Sequence, residues 1–287
     1  NGMKVGILGL PNVGKSTLFN ALTAAGAAAE NYPFCTVEPN VGVVPVPDPR
    51  LEELAAAVRP QRVVPATVTF VDIAGLVRGA HQGEGLGNQF LAHVRETDAL
   101  VHVLRCFEDP DVVHVLGPVD PVRDREVIEL ELVLADLAVV ERRRERVRKV
   151  AKSGDREAQA ELEALDRVAA ALEAGRPARV VPLDEEDERR LRSLGLLTRK
   201  PMLYVANVGE ADLPAGNAHS ERLRQAVAAA DPGADVLVLA SKIEAELAEL
   251  APEERADYLV ALGLPEPGLH RLVRRAYRLL GLQTFFT

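Results

Sequence analysis

The sequence predicts an α/β fold: a mostly parallel sheet wrapped by helices and interrupted by a helical coiled-coil hairpin. Three observations predict it. Short β-rich runs alternate with helical stretches through roughly the first 120 residues. A glycine-rich turn joins the first apolar run to the first helical stretch. A long helix-forming block then separates two further strand candidates from the rest.

The elements follow in order. Met3 to Leu8, "MKVGIL", is an apolar run that reads as the first strand, and "STLFNALTAA" (16–25) reads as the helix after the turn. "VGVVPV" (41–46) and "ATVTFVDIAG" (66–75) read as strands, and "ALVHVLRCF" (99–107) as a buried one. From Glu126 to about Gly175 the chain is almost wholly helix-forming. Val133, Leu137, Val140, Val147 and Ala151 keep a three/four spacing, as do Ala158, Leu162, Leu165, Ala169 and Leu172. "KSGD" (152–155) supplies the turn, so the two helices form an antiparallel αα-hairpin with a coiled-coil-like seam. "PLDEEDERRLRSLGLL" (182–197) predicts one further helix, started by Asp184 and an acidic first turn. "PMLYVAN" (201–207) and "ADVLVLAS" (234–241) are the late strands. The expected organisation is an α/β unit of residues 1–125 and 200–280, with a helical insertion at 126–199.

Composition narrows the function classes. Of 287 residues 47% are hydrophobic, enough for a sizeable core, yet no apolar run approaches the roughly 18 residues of a membrane span. No signal-peptide pattern is present. Two cysteines, Cys35 and Cys106, make no disulfide framework and fit a reducing, cytoplasmic setting. Asn1-Gly2 before Met3 reads as an expression scar. A net charge of −9 argues against a general nucleic-acid coat and against a DNA partner. A local basic run exists all the same: Arg142, Arg143, Arg144, Arg146, Arg148, Lys149 and Lys152, with only Glu145 opposing them. It reads either as a solvated helix face or as a surface for RNA phosphates.

"GLPNVGKST", Gly9 to Thr17, is a phosphate-binding loop: a strand, a glycine-rich turn and a helix that aim backbone N–H groups at a polyphosphate. Asn12, Val13, Gly14, Lys15, Ser16 and Thr17 form the cradle. Lys15 reaches the β- and γ-phosphates, and the Ser16 hydroxyl ligates Mg²⁺. "VDIAG" (71–75) ends a strand with Asp72, a second Mg²⁺ partner, and places the Gly75 N–H for the γ-phosphate, as in nucleotide-switch G domains. Thr36, in "NYPFCTVEPN" (31–40), completes the Mg²⁺ shell. "GEGLGNQF" (83–90), with three glycines in five residues, reads as a segment that reorders with nucleotide state. For the base, switch GTPases present Asn-Lys-x-Asp after a strand. Here the chain has Asn207, Val208, Gly209 and Glu210. A lengthened, displaced carboxylate relaxes discrimination for guanine, so adenine is favoured and GTP remains the rival. Ser241 and Lys242, in "ASK" (240–242), back the base.

"GLPNVGKST", "NYPFCTVEPN", "DIAGLVRGAHQGEGLGNQFL" and "NVGE" together resemble the YchF/Obg-like ATPases, P-loop proteins of the Obg branch of the translation-factor GTPases that prefer ATP. The resemblance covers essentially the whole chain. It implies association with ribosomes and ribosomal RNA, and a regulatory role in translation or stress responses. Members normally continue into a small C-terminal TGS domain, so "LQTFFT" (282–287) is expected to open one, with residues 281–287 as its start.

Many switch GTPases place a water-orienting Gln after Asp-x-x-Gly. Leu76 stands there and has no polar group; the resemblance implies the same hydrophobic substitution. The water is then ordered by the glycine-rich backbone of 79–87, by a monovalent cation, by His81, or by His114. Asn12 points to K⁺, since related proteins with Asn at this position can bind that ion. The expected activity is slow, Mg²⁺-dependent ATP hydrolysis used as a switch. The alternatives are a GTPase of the same architecture, or a nucleotide-gated RNA- or ribosome-binding module whose hydrolysis is incidental.

Overall fold

A computed structural model of the chain describes residues 2–29, 40–47, 66–73 and 86–285. Six strands form one sheet: β1 (Lys4–Leu8), β2 (Val41–Pro45), β3 (Thr67–Asp72), β4 (Ala99–Arg105), β5 (Met202–Asn207) and β6 (Val236–Leu239). Their order is β2-β3-β1-β4-β5-β6, with β2 antiparallel at the edge and every other pairing parallel. The central strands β4 and β5 are buried along their whole length, as strands covered on both faces must be, whereas β2 alternates. Because β1, β3, β4, β5 and β6 run the same way, Leu8, Asp72, Arg105, Asn207 and Leu239 finish at one edge of the sheet. In open α/β sheets that edge is where ligands bind.

Helices α1 (Lys15–Ala29) and α2 (Leu86–Arg95) belong to the α/β unit, as do α6 (Ala218–Ala230), α7 (Ser241–Glu249), α8 (Pro252–Leu262) and α9 (Gly268–Phe285). Val5, Ile7, Leu18, Leu22, Phe70, Leu100, Tyr204 and Leu272 anchor its core. Each fully buried side chain of this kind contributes about 1.5–3 kcal/mol through removal from water. Residues 281–285 continue α9 rather than opening a new element.

The hairpin is α3 (Pro121–Ala151) packed on α4 (Arg156–Glu173). Helix α3 starts five residues before the expected Glu126, because Asp120 caps it, accepting from the Arg123 N–H at 3.1 Å, and Pro121 suits its first turn. Asp155 caps α4 through the Ala158 N–H. The hairpin carries its own core, in which Val133, Val140, Val147, Ala158, Leu165 and Leu172 are buried and Leu137 and Leu162 pack at its margin. The single helix expected over 182–197 is shorter: α5 (Glu185–Leu191) follows the Asp184 cap, then gives way to 3₁₀ turns around Gly195, whose φ is +57°. The reason is tertiary. The buried Asp136 carboxylate of α3 draws in the Leu197 and Thr198 N–H groups, both at 2.8 Å, and the Thr198 hydroxyl at 2.6 Å.

A second buried polar group fixes the hairpin against the sheet. The Arg179 guanidinium reaches Asp231 at 2.7 Å, Glu129 of α3 at 3.2 Å and the Thr198 carbonyl at 2.9 Å. Removing one partner of such a pair strands a buried charge, at a cost of about 3–5 kcal/mol. These contacts tie the hairpin to the α/β unit.

Candidate functional site

The phosphate-binding loop joins β1 to α1 through two residues in the left-handed region. Gly14 sits at φ +91° and Asn12 at φ +64°. A Cβ on Gly14 would drive into the Asn207 amide and lie 2.8 Å from the Ser241 hydroxyl. One on Gly9 would lie 3.0 Å from Val13 and 3.1 Å from the Val103 carbonyl. Gly14 is therefore a position where only glycine fits, while at Gly9 a side chain would need its neighbours to give by a few tenths of an ångström. The turn delivers the N-terminus of α1 to the sheet edge, where its unpaired N–H groups and dipole favour an anion.

Above the loop opens a cavity of about 820 Å³. Gly9, Leu10, Pro11, Asn12, Gly14, Lys15, Ser16 and Thr17 form one wall; Phe107, Glu108, Asp109 and Val112 form a second; Asn207 to Glu210 with Ser241, Lys242, Ile243 and Glu246 form a third. The volume and the mixed lining suit a nucleotide-sized ligand.

Lys15 of the first wall meets Asp72 from the end of β3. The ammonium pairs with the Asp72 carboxylate and donates to the Ile73 carbonyl at 3.1 Å. Cation and carboxylate thus stand side by side, and Ser16, next in the chain, is exposed and lines the cavity. Oxygen donors of this kind fit Mg²⁺, which takes one or two protein ligands and completes its shell with phosphate oxygens and water. Among the described residues no cluster of three or more His, Cys, Asp or Glu offers a dedicated metal cage.

Several expected residues take other positions. Asn207 is 2% exposed and its amide is committed inside the protein: Nδ2 donates to the Val13 carbonyl and the Ser241 hydroxyl, both at 2.9 Å, while Oδ1 accepts the Ser241 N–H at 2.8 Å. It buckles the phosphate loop to the start of α7 and has no amide hydrogen left for a base. Val208 lines the cavity but is 3% exposed and packs in the main core. The Asn12 amide donates to the Val113 carbonyl at 2.8 Å rather than turning towards the cradle. His114 is buried, with Nε2 on the buried Asp124 of α3, and does not line the cavity. It joins loop to helix, and its water-ordering role has no support from this placement. Thr36, Gly75, Leu76, His81 and most of the 79–87 stretch lie outside the described residues.

Other residues of the site escaped sequence reasoning: Phe107 in the second wall, Arg105 behind it with its guanidinium on the carbonyls of Phe107, Asp109 and Val112, and Glu246 in the third wall. The "LRCF" run read only as a buried strand end, and Glu246 reaches the site by way of a helix whose pattern carries no signature. Further from the cavity, burial pushes the Glu244 carboxyl up to about 7 even though the Gly268 N–H donates to it.

On the hairpin the basic run divides in two. Arg143 pairs with Glu161 at 2.7 Å, and Arg144 reaches Glu141, Asp166 and Glu173. Arg142, Arg146, Arg148, Lys149 and Lys152 are exposed.

A family model described as a 50S ribosome-binding GTPase matches residues 4–143. The chain is 56% identical over 286 residues to the ribosome-binding ATPase YchF of Haemophilus ducreyi, covering 100% of this chain and 78% of that protein. It is 51% identical to the YchF of Bacillus subtilis, covering 99% and 78%. Among solved structures, the Schizosaccharomyces pombe YchF GTPase superposes with a TM-score of 0.85 at 36% identity, covering 98% of this chain and 76% of that one.

Proposed function

The chain belongs to the YchF family of ribosome-binding ATPases, and on that premise we propose that it is a nucleotide-dependent switch that binds and slowly hydrolyses ATP and associates with the ribosome. The observation that carries the reading is the glycine-built phosphate cradle, with Lys15 lining a nucleotide-sized cavity and paired with Asp72.

The chain's own residues do the following. Loop amides from Val13 to Thr17 bind the phosphate oxygens, and Lys15 exchanges the Asp72 carboxylate for the β- and γ-phosphates. Charge developing on those oxygens during attack by water is thereby met by groups already in place. Ser16 and Asp72 would hold Mg²⁺, with Thr36 as a third donor, and the ion would neutralise phosphate charge. Glu210, Lys242 and the Ser241 backbone line the base end. The exposed cations of the hairpin supply the face for ribosomal RNA phosphates. The reading assigns the protein to the cytoplasm, where ribosomes and reduced cysteines coexist; no helix among the described residues is long and apolar enough to cross a membrane.

GTP is the second reading, because the solved yeast relative and the matched family model are described as GTPases. Titration with fluorescent ATP and GTP analogues in the presence of Mg²⁺ tests both. ATP is expected to bind more tightly, and Lys15→Ala to lose binding of either triphosphate. Unchanged affinity in Lys15→Ala would remove the assignment.

A further inference from the structure

Arg105 ends β4 at the ligand edge of the sheet, in register with Asn207 of β5. It is 2% exposed, and no carboxylate lies within ion-pair distance of it among the described residues. A buried charge is tolerated only when its hydrogens are used. Here they are used on carbonyls alone. Nε donates to Phe107 at 3.2 Å, Nη1 to Asn12 at 3.3 Å, and Nη2 to Asp109 at 3.3 Å and Val112 at 2.7 Å. The guanidinium also lies 4.4 Å from the centre of the Phe107 ring. Asn12 returns the contact from the other side, its amide donating to the Val113 carbonyl at 2.8 Å.

We propose that Arg105 is a positioning residue for the nucleotide, clamping the phosphate-loop residue Asn12 to the cavity wall Phe107–Val112 so that both walls are set before the ligand arrives. The inference rests on the nucleotide-site reading above. Asn12 lies in the left-handed region, φ +64°, which costs a non-glycine residue energy and persists only when the surroundings hold it. Arg105 holds its carbonyl and Val113 holds its side chain. The wall segment from Phe107 to Val112 has no strand or helix of its own, so the same guanidinium supplies three of the contacts that give it shape. Only a rigid fork spans four carbonyls; the point charge of lysine does not. Preorganised walls lower the ordering cost of binding, so the effect falls on affinity for any triphosphate and not on the chemical step.

The test measures Kd, KM and kcat for ATP and GTP in the parent chain and in Arg105→Gln, Arg105→Lys, Asn12→Ala and the Arg105→Gln/Asn12→Ala double variant. Arg105→Gln and Arg105→Lys are each expected to raise Kd and KM at least tenfold for both nucleotides, with kcat within twofold of the parent. Asn12→Ala is expected to raise Kd at least threefold alone and by less than that factor on the Arg105→Gln background, because both changes open one clasp. Parent-like Kd in Arg105→Gln overturns the proposal. So does recovery of parent affinity by lysine, a fall in kcat at constant KM, or factors that simply multiply. If the Arg105 variants fail to fold by circular dichroism, Asn12→Ala decides alone, with unchanged Kd counting against the clamp. A parent chain that binds neither triphosphate refutes the nucleotide-site reading itself, a different outcome from equal binding by parent and variants.

Discussion

Replacing Asn207 with alanine separates two roles that its position allows. If the side chain reads the base, its loss weakens the preferred nucleotide selectively. If it is the buckle seen here, both ATP and GTP suffer together. The magnitude follows from the three hydrogen bonds to Val13 and Ser241, all in a residue only 2% exposed. At about 1 kcal/mol each, their removal costs about 3 kcal/mol. Spread over a 287-residue chain, with unfolding entropy of about 2.1 cal/mol/K per residue, that lowers Tm by about 5 °C. Where the loop remains folded but untied, the same energy appears as up to about a hundredfold loss in nucleotide affinity. The assay pairs thermal melts with titrations of both fluorescent triphosphates. Equal losses for ATP and GTP, with a lowered Tm, are expected. An unchanged Tm, or a loss confined to one base, refutes the buckle.

Three further outcomes follow from the same geometry. Glu210 is exposed at the cavity, unlike the buried Val208, so Glu210→Asp alone is expected to move the ATP/GTP affinity ratio towards GTP by about 1 kcal/mol; an unmoved ratio places base choice elsewhere. Arg142, Arg146 and Lys149 share one exposed helix face at a spacing of four and three. Their change to Glu is expected to weaken ribosome co-sedimentation and flatten its salt dependence while ATP turnover stays within twofold, and equal pelleting at every salt concentration counts against the face. Finally, the Glu244 carboxyl, pushed up to about 7 chiefly by burial, binds its proton more tightly folded than unfolded. Stability is therefore lost as pH rises from about 4.5 through 7, by up to about 3 kcal/mol, and Glu244→Gln is expected to abolish that slope in Tm. A slope shared by both proteins would assign it to other groups.

The cradle, the parallel sheet and the hairpin were legible in the sequence because their signals are local. A glycine-rich turn between an apolar strand and a helix, a three/four seam on each side of "KSGD", and Asp155 and Asp184 at helix starts all act over a few residues. Tertiary structure decided what single residues do once distant segments meet. Asn207 touches Val13 across 194 positions, Arg105 touches Asn12 across 93, and Asp136 binds the Leu197 N–H across 61. Each of those residue types has several ways to spend its hydrogen bonds, and which one it uses depends on the carbonyls and N–H groups that packing brings within about 3 Å. The same holds for charge. Arg144 is neutralised by acids of the facing helix while Arg142 and Arg146 keep theirs exposed, because the antiparallel packing of the hairpin sets which flank of the basic run faces α4.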